Sequence, residues 1–132
     1  MATTTATITL SSDLLSDSIS VTADTTCMKA GTTADGLDQM RMGMTKVPTG
    51  TSFDLIDATA AHIDKANKIY ISNKATDNTL YVDVYINTLN IGRLYAGDWA
   101  FFPWIANAST NDIKIDPSAN DMTLEYMLFT DE

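Results

Sequence analysis

Few residues in this chain have side chains suited to catalysis, and their numbers already restrict the chemistry. His62 is the single histidine and Cys27 the single cysteine. One imidazole excludes histidine-based metal clusters and acid–base catalysis by paired imidazoles. A serine–histidine–acid site would have to use His62, which lies in a polar, alanine-rich segment, and the sequence has no Gly-x-Ser-x-Gly elbow. A lone cysteine cannot form an intrachain disulfide and most often packs as a small apolar residue. The sequence also lacks a phosphate loop, a dinucleotide fingerprint and a Cys-x-x-Cys pair.

Carboxylates are plentiful, with fifteen Asp and two Glu. A glycosidase needs two acids facing each other across a sugar-sized cleft. Glu125 is the one internal Glu, on an expected strand face, and no second acid is placed to partner it. Asp112, Asp116, Asn120 and Asp121 fall close together in loop-like sequence and offer the hard oxygens calcium takes. The EF-hand spacing is missing, and Asp and Asn are the residues turns use. The expectation is therefore no enzyme, no cofactor and no metal.

Two groups of apolar residues suggest contact rather than reaction. Trp99, Phe101, Phe102 and Trp104 form the densest aromatic patch. On a strand, Trp99 and Phe101 face one way and Phe102 and Trp104 the other. Aromatics on both faces imply a buried strand, with one face meeting another subunit; a sugar-stacking platform is the alternative. Met40, Met42 and Met44 stand at two-residue spacing beside Gly43, a strand pattern rather than a helical one. Such a stripe fills a core, or else it is an adaptable contact surface, because methionine repacks easily. Met40, Met42, Met44, Trp99 and Trp104 are the candidate partner-contact residues.

These side chains need strands to hold them. In residues 80–86, Leu80, Val82, Val84 and Ile86 alternate with Tyr81, Asp83 and Tyr85, the mark of a half-buried strand. Ile69 and Ile71 alternate with Tyr70 and Ser72 just before it, and residues 75–78 turn the chain, so the two runs read as a hairpin. Residues 91–95 and 99–104 continue the meander. Weaker alternation marks strands at 3–10 and 18–23, and the last strand spans 122–129. Residues 57–68 are the best helical stretch, and residues 24–39 read as an irregular arm or loop. Twenty threonines favour strands. About nine short strands at this spacing predict one all-β domain over 1–132, an antiparallel, jelly-roll-like β-sandwich with at most one short helix.

At 132 residues, 45% hydrophobic and 19% charged, the chain can bury a core without disulfide staples. The net charge of −9 repels phosphate backbones, so nucleic acid is not an expected partner. Residues 1–10 carry neither a basic region nor a long apolar run, so no signal peptide or membrane span is expected.

Five segments carry a resemblance: ATITLSSDLLSDSISVTADTT (6–26), KAGTTADGLDQ (29–39), IYISNKATDNTLYVDVYIN (69–87), IGRLYAGDWAFFPW (91–104) and LEYMLF (124–129). In these the chain resembles a family of small virion proteins of tailed bacteriophages, particularly those of marine and cyanobacterial hosts. Residues 68–129 also resemble the phage β-sandwich used in capsid decoration and tail attachment. The resemblance implies a structural protein of the virion, made in the host cytoplasm. Its first expected role is a capsid decoration or cement protein on the major capsid protein, acting as a trimer or other homo-oligomer. A neck, tail or fibre component and a carbohydrate-binding receptor module are the alternatives. No catalytic residue comes with it.

Overall fold

The alternation at 80–86 places Val82 and Val84 inward and Tyr81, Asp83 and Tyr85 outward, and the rest of the domain follows the same two-residue rule. A computed structural model of the chain describes residues 3–14, 16–49, 52–107 and 110–131. Among them are ten strands: β1 (Thr4–Ser12), β2 (Ile19–Cys27), β3 (Gln39–Val47), β4 (Phe53–Ile56), β5 (Lys68–Asn73), β6 (Tyr81–Ile86), β7 (Leu89–Tyr95), β8 (Trp99–Pro103), β9 (Ile113–Pro117) and β10 (Met122–Thr130). All strand pairs are antiparallel, so the fold is an all-β sandwich with an added hairpin.

Two four-stranded sheets form the sandwich, in the orders β3-β10-β5-β8 and β4-β9-β6-β7. From β3 to β10 the chain changes sheet at every connection except β6 to β7. The core lies between the sheets, where Ile69 and Ile71 (β5) and Leu124 and Leu128 (β10) meet Val82 and Val84 (β6) and Ile113 and Ile115 (β9). All eight are almost fully removed from water, each stabilising the fold by roughly 1.5–3 kcal/mol before conformational entropy is counted.

Buried polar side chains fix the crossings between the sheets. Asn73, fully buried at the end of β5, donates from Nδ2 to the Leu94 carbonyl (3.1 Å) and accepts from the Ala75 amide (3.0 Å). Its own backbone exchanges hydrogen bonds with Gly97 and Asp98, so one residue ties the β7–β8 crossover to β5. Gly97 sits there at φ 84°, a left-handed turn position that favours glycine.

One expectation is corrected. The helix over 57–68 reduces to one 3₁₀ turn, Ala60–His62. A segment this short cannot offset the cost of helix nucleation, and Thr59 makes no backbone cap. Thr59 Oγ1 instead meets His62 Nδ1 at 3.2 Å, and Asn67 Nδ2 donates to the His62 carbonyl at 2.8 Å. In the segment 24–39, expected as an irregular arm or loop, named strands take only the two ends. Its first residues complete β2, a Met28–Gly36 bridge closes the following loop, and Gln39 opens β3.

Candidate interaction surface

The two outer faces of the sandwich differ sharply in chemistry. On the β4-β9-β6-β7 sheet, Asp54, Lys114 and Tyr85 share one cross-strand row, and Asp116, Asp83 and Arg93 the next. Arg93 grips the nearly buried Asp83 with two bonds, Nε to Oδ1 at 2.7 Å and Nη2 to Oδ2 at 3.0 Å. Its guanidinium carbon lies 3.7 Å from the Tyr81 ring centroid. These contacts, the Asp83 hydrogen bond first, hold the Arg93 guanidinium more firmly protonated than usual. Lys114 Nζ lies 3.4 Å from Asp54. Two ion pairs, Arg93–Asp83 and Lys114–Asp54, thus lie on this face.

The β3-β10-β5-β8 sheet presents the opposite surface. Its register puts Met44, Glu125, Ser72 and Trp99 in one outward row. Met42, Met127, Tyr70 and Phe101 form the next, and Met40, Phe129, Lys68 and Pro103 the third. Met40, Met42 and Met44 are 55%, 55% and 63% exposed, and Trp99 is 50% exposed. Tyr70 leans on Trp99 at 6.3 Å between ring centroids, and Phe101 meets Phe129 edge-on at 6.4 Å. The methionine stripe is thus no core stripe. Its side chains point away from the core because the inward space at β3 is taken by the Tyr126 ring, which lies over Gly43. A Cβ at position 43 would sit only 3.0 Å from the Tyr126 hydroxyl oxygen.

Trp104 is corrected in the same way. It is only 2% exposed, its Nε1 donates to the Asn111 carbonyl at 2.8 Å, and its ring packs against His62 at 5.3 Å. A residue placed like this cannot meet a partner or stack on a sugar. Of the two tryptophans, Trp99 alone lies on the open face.

A second apolar surface comes from β1 and β2, which pair over nine residues and form a two-stranded sheet of their own. Directly opposed residues share a face. One face therefore carries Ala6, Ile8, Leu10, Ile19, Val21 and Ala23, and the other is built of threonine and serine with Asp24. Ile8, Leu10, Ile19 and Val21 remain largely in water. The base of the hairpin is anchored by Thr4 Oγ1 donating to the Leu37 carbonyl (3.2 Å) and by buried Cys27 and Leu37. An open groove of about 1230 Å³ separates the hairpin from the sandwich, lined by Ile8 and Leu10 on one side and Tyr70, Trp99 and Phe101 on the other. Neither the pairing of β1 with β2 alone nor the exposure of its apolar face was readable from composition. The alternations Ala6, Ile8, Leu10 and Ile19, Val21 were the signals.

The remaining reactive groups do not converge. Among the described residues the His62 side chain hydrogen-bonds to Thr59, and burial first, then the nearby Arg41 charge, pushes its pKa down. The four residues considered for calcium separate: Asp112 Oδ1 accepts from the Ala58 amide (2.7 Å), Asn120 Oδ1 from the Thr49 amide (2.8 Å), and Asp116 opposes Asp83. The structure instead gathers Asp54, Asp57 and Asp112, whose carboxylate oxygens lie within 4.8 Å of one another. Three oxygens at that range suit a hard cation. Lys114 and the Ala58 amide, however, already engage Asp54 and Asp112. Comparison with protein families, characterised proteins and solved structures finds no match to this chain.

Proposed function

We propose that this chain is a structural protein of a tailed-bacteriophage virion, a decoration or cement domain that binds the major capsid shell and bridges neighbouring subunits. The observation that carries the proposal is the asymmetry of the sandwich. One outer face carries the Arg93–Asp83 and Lys114–Asp54 pairs, while the other leaves methionines and Trp99 in water, as an adhesive domain requires. Two further features support it. The sheet orders β3-β10-β5-β8 and β4-β9-β6-β7 support the jelly-roll winding expected of such a domain, and five segments resemble small phage virion proteins. A shell-bound domain works through many copies, each held by a modest interface. The acidic surface suits the outside of a particle and disfavours the packaged nucleic acid.

The test is quantitative mass spectrometry of purified particles, followed by rebinding of recombinant protein to particles stripped of it. A copy number on the scale of the shell's own subunits, with saturable rebinding, is the expected result. A copy number sufficient for only one ring or a set of fibres would move the protein to the neck or tail. Particles lacking the chain altogether would refute the proposal.

A further inference from the structure

The β1–β2 hairpin is an unusual possession for a folded domain. An isolated two-stranded ribbon is marginally stable in water, and this one keeps a whole apolar face uncovered. We infer that the hairpin is an exchange arm whose occupant is a second copy of this chain. In the assembled pair, the apolar face of each arm lies across the methionine-bearing outer face of the other copy's β3-β10-β5-β8 sheet.

Charge distribution argues for a second copy. Two molecules of net charge −9 repel, so they meet most closely where acid is sparse or already paired with a cation. Of fifteen aspartates, none lies on the hairpin's apolar face or in the outward rows of the sheet, and Asp24 of β2 points to the hairpin's polar face; the one acid in those rows, Glu125, has Lys74 Nζ 3.8 Å away. The two surfaces are also complementary in kind. One is a narrow ribbon of branched side chains, and the other is a broad methionine and aromatic floor that can repack beneath it.

Area decides the form of the assembly. Nine residues at about 3.3 Å each and two strands about 4.8 Å apart give an arm face of ~30 by ~10 Å, or ~300 Å². One arm on one face would bury only about 600 Å² in total, the size of a crystal contact. Reciprocal exchange doubles this to ~1,200 Å² before side-chain corrugation is counted, which reaches the range of specific interfaces. The contact must therefore be mutual, as in a closed two-fold pair, or be repeated around a ring.

Self-association does not depend on the proposed place in the virion. The test uses the full chain in sedimentation equilibrium, with Leu10→Asp in the arm and Met42→Asp on the sheet. Both positions are half or more exposed, and far-UV circular dichroism with urea midpoints checks that the fold persists. Wild type is expected to associate in the micromolar range, and each variant to weaken association by at least about tenfold. Mixing the two variants is not expected to restore association, because a mixed pair keeps a single unaltered arm–sheet contact of only about 600 Å². A wild-type chain that stays monomeric to about 100 μM overturns the inference, as do variants that associate normally. Arm-dependent binding to stripped particles by a monomeric chain would make a shell protein the occupant. That result would overturn the exchange and leave the proposed function standing.

Discussion

Replacing each tryptophan in turn by phenylalanine separates core from surface in one experiment. Trp104→Phe removes the indole N–H that donates to the Asn111 carbonyl and leaves a void beside His62. An unpaired carbonyl costs about 1–3 kcal/mol and the partly collapsed void about 1 kcal/mol more, for a combined loss of roughly 2–4 kcal/mol. Against a total of about 5–15 kcal/mol that is large, and it lowers the melting temperature by roughly 10 °C in a domain of this size. Trp99→Phe, on a half-exposed ring, is expected to change the stability of dilute protein by no more than about 0.5 kcal/mol. Urea unfolding followed by far-UV circular dichroism measures both. Fluorescence adds a second readout, since each variant leaves one tryptophan. With Trp104 alone the emission is blue-shifted and shielded from acrylamide; with Trp99 alone it is red-shifted and readily quenched. Equal destabilisation by the two changes, or free quenching of Trp104, would refute the placement of Trp104 in the core.

Three further outcomes follow from the same contacts. Asn73→Ala strands the Leu94 carbonyl and the Ala75 amide, so a loss of about 2–3 kcal/mol is expected in urea unfolding, with faster amide exchange at the β7–β8 crossover. Gly43→Ala presses a methyl group against the Tyr126 ring and is expected to cost about 1 kcal/mol, overpacking outweighing the entropy gained from losing a glycine. His62 is held below its ordinary pKa of 6.5 by burial and by Arg41, so the unfolded chain takes up the proton first. Its contribution to stability is whole above pH 6.5 and declines as the pH falls through the window below it, levelling off under the folded value. Urea midpoints at about pH 7.5 and about pH 5.5 should therefore differ less in His62→Gln than in wild type.

Alternation made most of the sandwich legible, and the limits of alternation explain the errors. In β6 and β10 the apolar set is the inward set, so a two-residue period identifies both the strand and its buried side. In β3 the same period reports the strand correctly and the side wrongly. Arg41 and Gly43 point inward with Thr45 and Val47, while the methionines point out, because a ring from the neighbouring strand fills the inner space. A periodic pattern states which residues share a face, not what covers that face. Trp104 was misplaced for a related reason. It lies one residue past the end of β8, where the indole reaches back to Asn111 and His62 through loop geometry that strand spacing does not encode. Nor could spacing foresee that Asp54 and Asp57 would join Asp112, since that depends on β4 pairing with β9.

The closed core and the exposed apolar surfaces occupy different parts of this molecule, and that separation has a mechanical consequence. The core closes entirely between the two four-stranded sheets, without a side chain from β1 or β2. The domain can therefore fold before it meets any partner, unlike an obligate oligomer whose core is completed at the interface. In the proposed exchange, the arm and the methionine face engage after folding, with little change in the sandwich itself. β3 is the element where the two properties meet. Its inner side is closed by Tyr126, its outer side carries the three methionines, and the backbone groups of alternate residues along its free edge are unpaired by any strand among the described residues. A long apolar edge in a monomer invites uncontrolled pairing, so an assembly that covers the methionine face and shields the β3 edge would turn a hazard into a specific joint.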